Sequence, residues 1–292
     1  MDATADELAA IEGGRAFARS EGRWILRVTG SDAAAWLHDL VTTDVASLDP
    51  GQARRSFLLT PTGRIRADFM VGRDSGGFWL LQSSEQPRAM IDLLSVYVLS
   101  SDVSLADMSA GYSVWTLIGG AGERFDGPGL RPSLLGPGCD VLVAHDGADP
   151  PWAANDSTAG LAQVDDPALE RWRILRGDPR MGIDFPEGAL PAEVGLDEAI
   201  DTTKGCFLGQ ESVAKIRNLG HPPSVLRFRR AEGVVAPATP VFDAGTEVGL
   251  VTSAATVAGG TTVAIIRVGW ASREASLTTP DGLRFEPAHP QD

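Results

Sequence analysis

The stretch RSFLLTPTGRIRADFMVGR, residues 55–73, restricts the fold more than any other part of this chain. Two apolar runs flank Pro-Thr-Gly. Proline lacks the N–H that an interior strand donates, and glycine opens backbone angles closed to other residues. The chain therefore turns here, and the two runs pair as an antiparallel hairpin. GFWLLQSS, residues 77–84, reads as a further strand. Upstream, RWILRVTGSDAAAWLHDLVTTDV reads as strand, turn and helix. Residues 24–28 are apolar and β-prone, Ser31 is placed to cap the helix, and Trp36, Leu37, Leu40 and Val41 share one face. QPRAMIDLLSVYVL has helical spacing at Met90, Leu93, Leu94 and Tyr97.

A second block opens with the strand YSVWTLIGG at residue 112. Residues 126–138 are rich in Gly and Pro and read as loop, and DPPWAANDS, residues 149–157, reads as a connection. DPALERWRILRG is an amphipathic helix with Asp165 or Asp166 as cap, Pro167 in its first turn and Gly177 at its end. After His221-Pro222-Pro223 the pattern changes. SVLRFRR, EVGLVTSAA and TTVAIIRVGW are short strands separated by Gly- and Ala-rich turns, the pattern of a small barrel or sandwich. The expected organisation is 1–108, 109–221 and 222–292.

Composition narrows the function classes. A chain of 292 residues, 43% hydrophobic, can bury a large core over two or three domains. It carries 25 Lys+Arg against 39 Asp+Glu, a formal net charge of −14. Such a chain repels phosphate backbones and anionic bilayers, so neither nucleic acid nor a membrane is an expected partner. Its longest apolar runs, such as SVYVLS, are too short to span a bilayer, and MDATADELAA lacks the features of a signal peptide. A cytoplasmic location is the expectation. The four histidines lie at no ligand spacing, and Cys-x-x-Cys is absent, so no metal is expected. GGAG at 119–122 lacks the lysine and hydroxyl of a phosphate-binding loop.

The chemistry concentrates in TTKGCFLGQE, residues 202–211, which holds one of only two cysteines. In an extended segment Lys204 and Cys206 share a face, and an ammonium beside a thiol favours the thiolate. Gly205 and Gly209 permit a tight bend or a close approach to a ligand. Gln210 and Glu211 add an amide and a carboxylate. The competing reading is a cysteine that simply packs.

KGCFLGQE resembles the signature of the YgfZ-type folate-binding proteins, which assist iron–sulfur cluster assembly or repair and are relatives of the aminomethyltransferase (T-protein) of glycine cleavage. The resemblance continues in family order through VTGSDAAAWLHDLVTTDVASLDPGQ, LLTPTGRIRADFMV, RWRILRGDPRMGIDF, LPAEVGLDEAI and GLVTSA. It implies a three-part ring around a folate site, with two α+β parts and a C-terminal small β-barrel. It implies tetrahydrofolate, or a one-carbon-substituted reduced folate, as ligand, and iron–sulfur proteins or assembly factors as partners. Glu193 stands where relatives carry a pterin-binding glutamate, and a carboxylate suits the pterin N–H donors. Lys204 is one candidate cation for the folate glutamate tail.

The chain departs from the transferases at several of these positions. Ala67 replaces one of their paired aspartates and Asp68 remains. Gln82 stands where they commonly have Asn, Gln210 where they have a basic residue, and Cys206 where they have no cysteine. Each change moves the reading from transferase toward the folate-binding assembly proteins. Three readings follow: an assembly accessory protein, a folate-dependent aminomethyl or methyl transferase with an altered site, and a folate-binding module without chemistry. Cys206, Lys204 and Asp68 are the candidate chemical residues, and Glu193, Gln210, Glu211 and Gln82 the candidate folate contacts. A resident cluster would need more thiolates than two cysteines supply.

Overall fold

The structure is a computed structural model that describes residues 3–20, 22–145, 152, 160–257 and 259–288. The connection read at 149–157 lies outside the described residues except for Trp152. The chain forms two compact units. One comprises Met1–Thr60, Arg66–Ala168 and Glu198–Leu208; the other comprises Pro61–Ile65, Leu169–Asp197 and Gly209–Asp292.

The elements run α1 (Ala3–Glu12), β1 (Ala16–Ser20), β2 (Arg23–Thr29), α2 (Ala33–Leu40), β3 (Ala53–Leu59), β4 (Ile65–Asp74), β5 (Gly77–Ser83), α3 (Met90–Leu94), β6 (Ser104–Asp107), β7 (Tyr112–Ile118), α4 (Gly120–Glu123), β8 (Gly138–Ala144), β9 (Ala162–Gln163) and α5 (Asp166–Leu175). They continue with α6 (Pro191–Val194), α7 (Gln210–Leu219), β10 (Ser224–Glu232), β11 (Pro240–Asp243), β12 (Thr246–Thr256), β13 (Thr261–Gly269) and β14 (Phe285–Pro287). The fold is α+β, as the family resemblance implies. Among the described residues no helix is long and apolar enough to cross a membrane.

The first unit contains two sheets. One has the order β3-β4-β5-β2-β6 and the other β8-β7-β1-β9. The hairpin forms as expected, and β4 continues into β5 through Ser75–Gly76, with Asp74 opposite Gly77. Asp74 fixes that turn by accepting the Gly76 N–H at 2.8 Å. β2 then inserts antiparallel between β5 and β6. β1 pairs with β7, so the second sheet draws in residues from before the 108/109 line.

Helix α2 covers the first sheet because its apolar residues recur on one face. Leu37 and Val41 are fully buried, against Leu26, Phe69 and Leu80. Each such side chain contributes roughly 1.5–3 kcal/mol. Its start differs from expectation. Asp32 occupies the N-cap without a side-chain cap bond. Ser31 stands one residue earlier and gives its hydroxyl and its N–H to the Asp102 carboxylate at 2.7 and 3.1 Å, a charge-assisted pair of bonds. The helical spacing at Met90, Leu93, Leu94 and Tyr97 appears as α3, Met90–Leu94, followed by a 3₁₀ turn at Ser95–Tyr97.

In the second unit β11 to β14 and β10 form one curled antiparallel sheet, order β11-β12-β13-β10-β14, around Val225, Val241, Val251 and Ile266. A bulge interrupts β12 between Val251 and Ser253. Gly63 also belongs to this unit, at φ +75, where a Cβ would stand 2.8 Å from that of Ser212 on α7. No other residue type fits that approach without backbone movement.

Candidate functional site

Residues 198–208 lie along residues 38–44 of the first unit. Thr42 gives its hydroxyl to the Ala199 carbonyl at 2.6 Å, the Asp201 N–H meets the Thr42 carbonyl at 2.9 Å, and the Leu208 N–H meets that of Asp39 at 3.0 Å. Asp201 organises the turn itself. Its Oδ1 accepts the Thr203 hydroxyl, the Thr203 N–H and the Lys204 N–H, and these bonds hold its carboxyl below the usual range.

Lys204 is the centre of this arrangement. Its Nζ donates to the carbonyls of His38, Val41 (2.7 Å) and Thr43 (3.0 Å), and stands 5.4 Å from the centre of the buried Phe207 ring. Helix α2 leaves its last carbonyls unpaired, and an ammonium has three N–H groups to give them. Burial pushes the Lys204 ammonium down to about 8, while Asp44, Asp39 and Asp201 oppose that shift. The amine is therefore charged at neutral pH. Its three N–H groups meet three backbone carbonyls, so Lys204 clamps residues 198–208 to residues 38–43.

The clamp presents Cys206, which is exposed, between Gly205 and the buried Phe207. A Cβ on Gly205 would stand 3.9 Å from His38 Nε2. His38 Nδ1 in turn lies 3.2 Å from Asp44 Oδ1. Hydrogen bonds from the Ser47 hydroxyl, then the Ser47 and Ala46 amides, outweigh partial burial and hold the Asp44 carboxyl low. Sequence reading passed over His38 and Asp44, because nothing local links a helix residue at 38 to a loop at 205.

Asp68 is not the surface charge that a strand position permits. It is 6% exposed, and both its oxygens are held by Arg55, Nε to Oδ1 at 2.8 Å and a terminal nitrogen to Oδ2 at 2.6 Å. Residues 55 and 68 are about equidistant from the Pro-Thr-Gly turn, so hairpin symmetry was the signal that could have found this pair. Ser56, on the opposite face of β3, bonds the Thr43 N–H at 3.1 Å. One strand thus supports both the Asp68 pair and the segment that receives Lys204.

Gln82 is buried and committed to the chain itself. Its Nε2 donates to Gln86 Oε1 (3.0 Å) and to the Arg88 carbonyl (2.8 Å), and its Oε1 accepts the Met90 N–H at 2.9 Å. Gln86 bonds both the N–H and the carbonyl of Asp68. Gln82 therefore sets the start of α3 and braces Gln86, rather than presenting a free amide.

In the second unit Glu193 sits half-buried in the single turn of α6. Its Oε1 accepts the Leu190 N–H at 3.2 Å and its Oε2 the Ser224 hydroxyl at 2.8 Å. Pro191 opens that turn and Gly195, at φ +76, closes it. Gln210 and Glu211 are not loop residues. Gly209, at φ +84, is the N-cap, and both residues stand in the first turn of α7, where Glu211 is exposed and its charge suits the helix dipole. Among the described residues no three His, Cys, Asp or Glu side chains are grouped as metal ligands.

Residues 17–124 match the GCVT N-terminal domain. An iron–sulfur cluster assembly factor IBA57 homolog of Mycosarcoma maydis is 27% identical over 220 residues, 68% of this chain and 53% of that protein. The chain thus spans about half the length of that relative. An aminomethyltransferase of Geobacillus kaustophilus is 27% identical over 259 residues, 77% of this chain and 71% of that protein. The crystal structure of the glycine cleavage system aminomethyltransferase T from Bartonella henselae superposes with a TM-score of 0.80 at 19% identity, covering 97% of this chain and 88% of that one. That likeness establishes the fold.

Proposed function

Starting from a chain whose residues 17–124 form a GCVT N-terminal domain, we propose a reduced-folate-binding accessory protein for the assembly or repair of iron–sulfur proteins. The ligand is tetrahydrofolate or a one-carbon-substituted form of it, and the cluster is cargo of the client rather than a resident group. The observation that carries this reading is the exposed Cys206 on a segment clamped by Lys204, in a chain that shares the aminomethyltransferase fold. The likeness to the IBA57 homolog supports the iron–sulfur role.

The residues present suit a pterin. Glu193 accepts two hydrogen bonds, whereas a carboxylate offers about four lone-pair directions, so acceptor capacity remains for pterin N–H donors. Gln210 and Glu211, at the start of α7, are further candidate contacts, and Asp68 and Gln82 act through the network that braces β4. The transferase alternative rests on Asp68 and Glu193. Arg55 holding both its oxygens leaves it poorly placed to act on an amine, which favours the accessory role.

Calorimetric titration with tetrahydrofolate tests the reading. Wild type should bind, and Glu193→Ala should bind about 5- to 150-fold more weakly, the equivalent of about 1–3 kcal/mol for unpaired donors in a desolvated pocket. Glu193→Gln, which keeps an acceptor for the Leu190 N–H, separates pterin contact from loss of the α6 turn. Equal affinity in all three removes Glu193 from the site, and no heat with wild type sinks the folate reading. Turnover of an aminomethyl donor with tetrahydrofolate would select the transferase. Loss of cluster-enzyme activity in cells carrying Cys206→Ser would separate the assembly role from a folate module without chemistry.

The two thiols should differ sharply in reactivity. Burial pushes the Cys139 thiol up to about 11, and its sulfur is inaccessible. At pH 7 it is thiolate in roughly one molecule in ten thousand. Peptide-mapped alkylation of the native chain should therefore modify Cys206 and spare Cys139 until unfolding. Consumption of Cys139 first would contradict the exposed placement of Cys206.

A further inference from the structure

A pocket of about 590 Å³ opens in the first unit beside the β4–β5 turn, between β8 and residues 126–131. That size falls within the range that holds small ligands, roughly 300–1,000 Å³. None of the residues discussed above as folate contacts or thiol chemistry lines it.

Its walls divide by chemistry. Leu130, Val141 and Leu142 make an apolar side, joined by the rings of Trp79 and Tyr112, whose centroids lie 5.5 Å apart. The indole is fixed before any ligand arrives. Its N–H donates to Asp74 Oδ2 at 2.8 Å, and the Arg27 guanidinium packs over it at 4.6 Å. Arg131 is also fixed, because it ties down the carbonyls of Phe125 and Gly127.

Charge gives the other half of the recognition. Asp74 is neutralised by Arg27 at 2.7 Å, and Asp126 stands exposed. The Arg73 guanidinium makes one hydrogen bond, to the Leu48 carbonyl at 2.9 Å, and has no carboxylate partner among the described residues. A guanidinium with remaining donors against an apolar and aromatic wall is a surplus positive charge in a chain of net charge −14.

We propose that this pocket binds a small aromatic carboxylate, its ring against Trp79 and Tyr112 and its carboxylate on Arg73. The site is separate from the proposed folate site and does not depend on that reading.

Ligand-observed NMR on the intact chain tests it, with benzoate, benzamide and acetate as probes. Benzoate should show saturation transfer, and acetate and benzamide should bind at least about tenfold more weakly, since each lacks one half of the recognition. Arg73→Gln should weaken benzoate by roughly tenfold and leave benzamide unchanged. Arg73→Lys, which can still donate to the Leu48 carbonyl, should retain part of the affinity, and Tyr112→Ala should weaken both aromatic probes. Equal binding of benzoate and benzamide, or benzoate binding unaltered in both Arg73→Gln and Tyr112→Ala, would overturn the proposal. Displacement of benzoate by tetrahydrofolate would merge the pocket with the folate site and also overturn it.

Discussion

Arg173→Met is expected to destabilise the second unit by about 3–5 kcal/mol, because it strands a buried charge. Arg173 is 7% exposed and uses all five of its donors. One terminal nitrogen meets Asp184 Oδ2 at 2.7 Å and the Asp178 carbonyl at 2.6 Å. The other meets the Ser253 hydroxyl at 2.8 Å and Glu170, and Nε meets Glu170 again at 3.0 Å. Asp184 is fully buried and equally committed. It accepts the Arg180 N–H at 2.9 Å and the hydroxyls of Thr252 and Ser253 at 2.6 and 2.7 Å. Consecutive strand residues ordinarily face opposite ways, and the β12 bulge turns both hydroxyls onto one oxygen. Removing the guanidinium leaves Asp184 with neutral donors alone. Arg173→Lys should rescue little, since an ammonium cannot reach five acceptors in a plane. Urea unfolding with hydrogen exchange at β12 reads the effect. A loss below about 1 kcal/mol would show that water or rearrangement replaces the pair.

Stability should also fall as pH rises from about 4 to about 6, through Asp140. Burial pushes its carboxyl up to about 6, although the Thr116 hydroxyl and the Leu134 N–H, each at 2.6 Å, and the attraction of Arg23 oppose the shift. The folded chain therefore holds a proton that the unfolded chain, at an ordinary 3.8, has released. Proton binding favours the folded state below this window, and that advantage is lost as pH rises through it. The full change is about 3 kcal/mol from the size of the shift. Asp44, Asp74 and Asp201 are shifted the other way, so their contributions are lost only at lower pH. Asp140→Asn should flatten the slope between pH 4 and 6.5. Equal slopes in wild type and variant would rule out Asp140 as its source.

These two groups also show where sequence reading stopped. Asp184 and Arg173 lie within a stretch that the family resemblance covers, yet neither stood out. A charged residue on an amphipathic helix ordinarily faces water, and the bulge that supplies the hydroxyls of Thr252 and Ser253 leaves no mark in an alternating strand pattern. Asp140 was passed over beside Cys139, because burial of a loop-flanking aspartate depends on which strands close over it. The Asp68 pair was within reach, since the hairpin that sequence predicts already sets Arg55 opposite it.

What the sequence determined by itself is what neighbouring residues decide. Pro61 and Gly63 force the turn between β3 and β4, and the apolar period buries Leu37 and Val41. Asp165 caps α5 through the Ala168 N–H at 2.9 Å, and Gly177, at φ +62, follows its end. Each of these effects acts within about one turn or across one hairpin, so residue order contains it. The tertiary structure decided which distant groups each polar side chain meets. Ser31 gives its hydroxyl to Asp102, 71 residues away, which only the packed fold brings beside it, while Asp32 takes the N-cap position. Lys204 reached carbonyls 161 to 166 residues earlier in the chain, and so became a clamp on them. A cation takes whichever acceptors folding brings within 3 Å, and only the packed arrangement of strands and helices places them there.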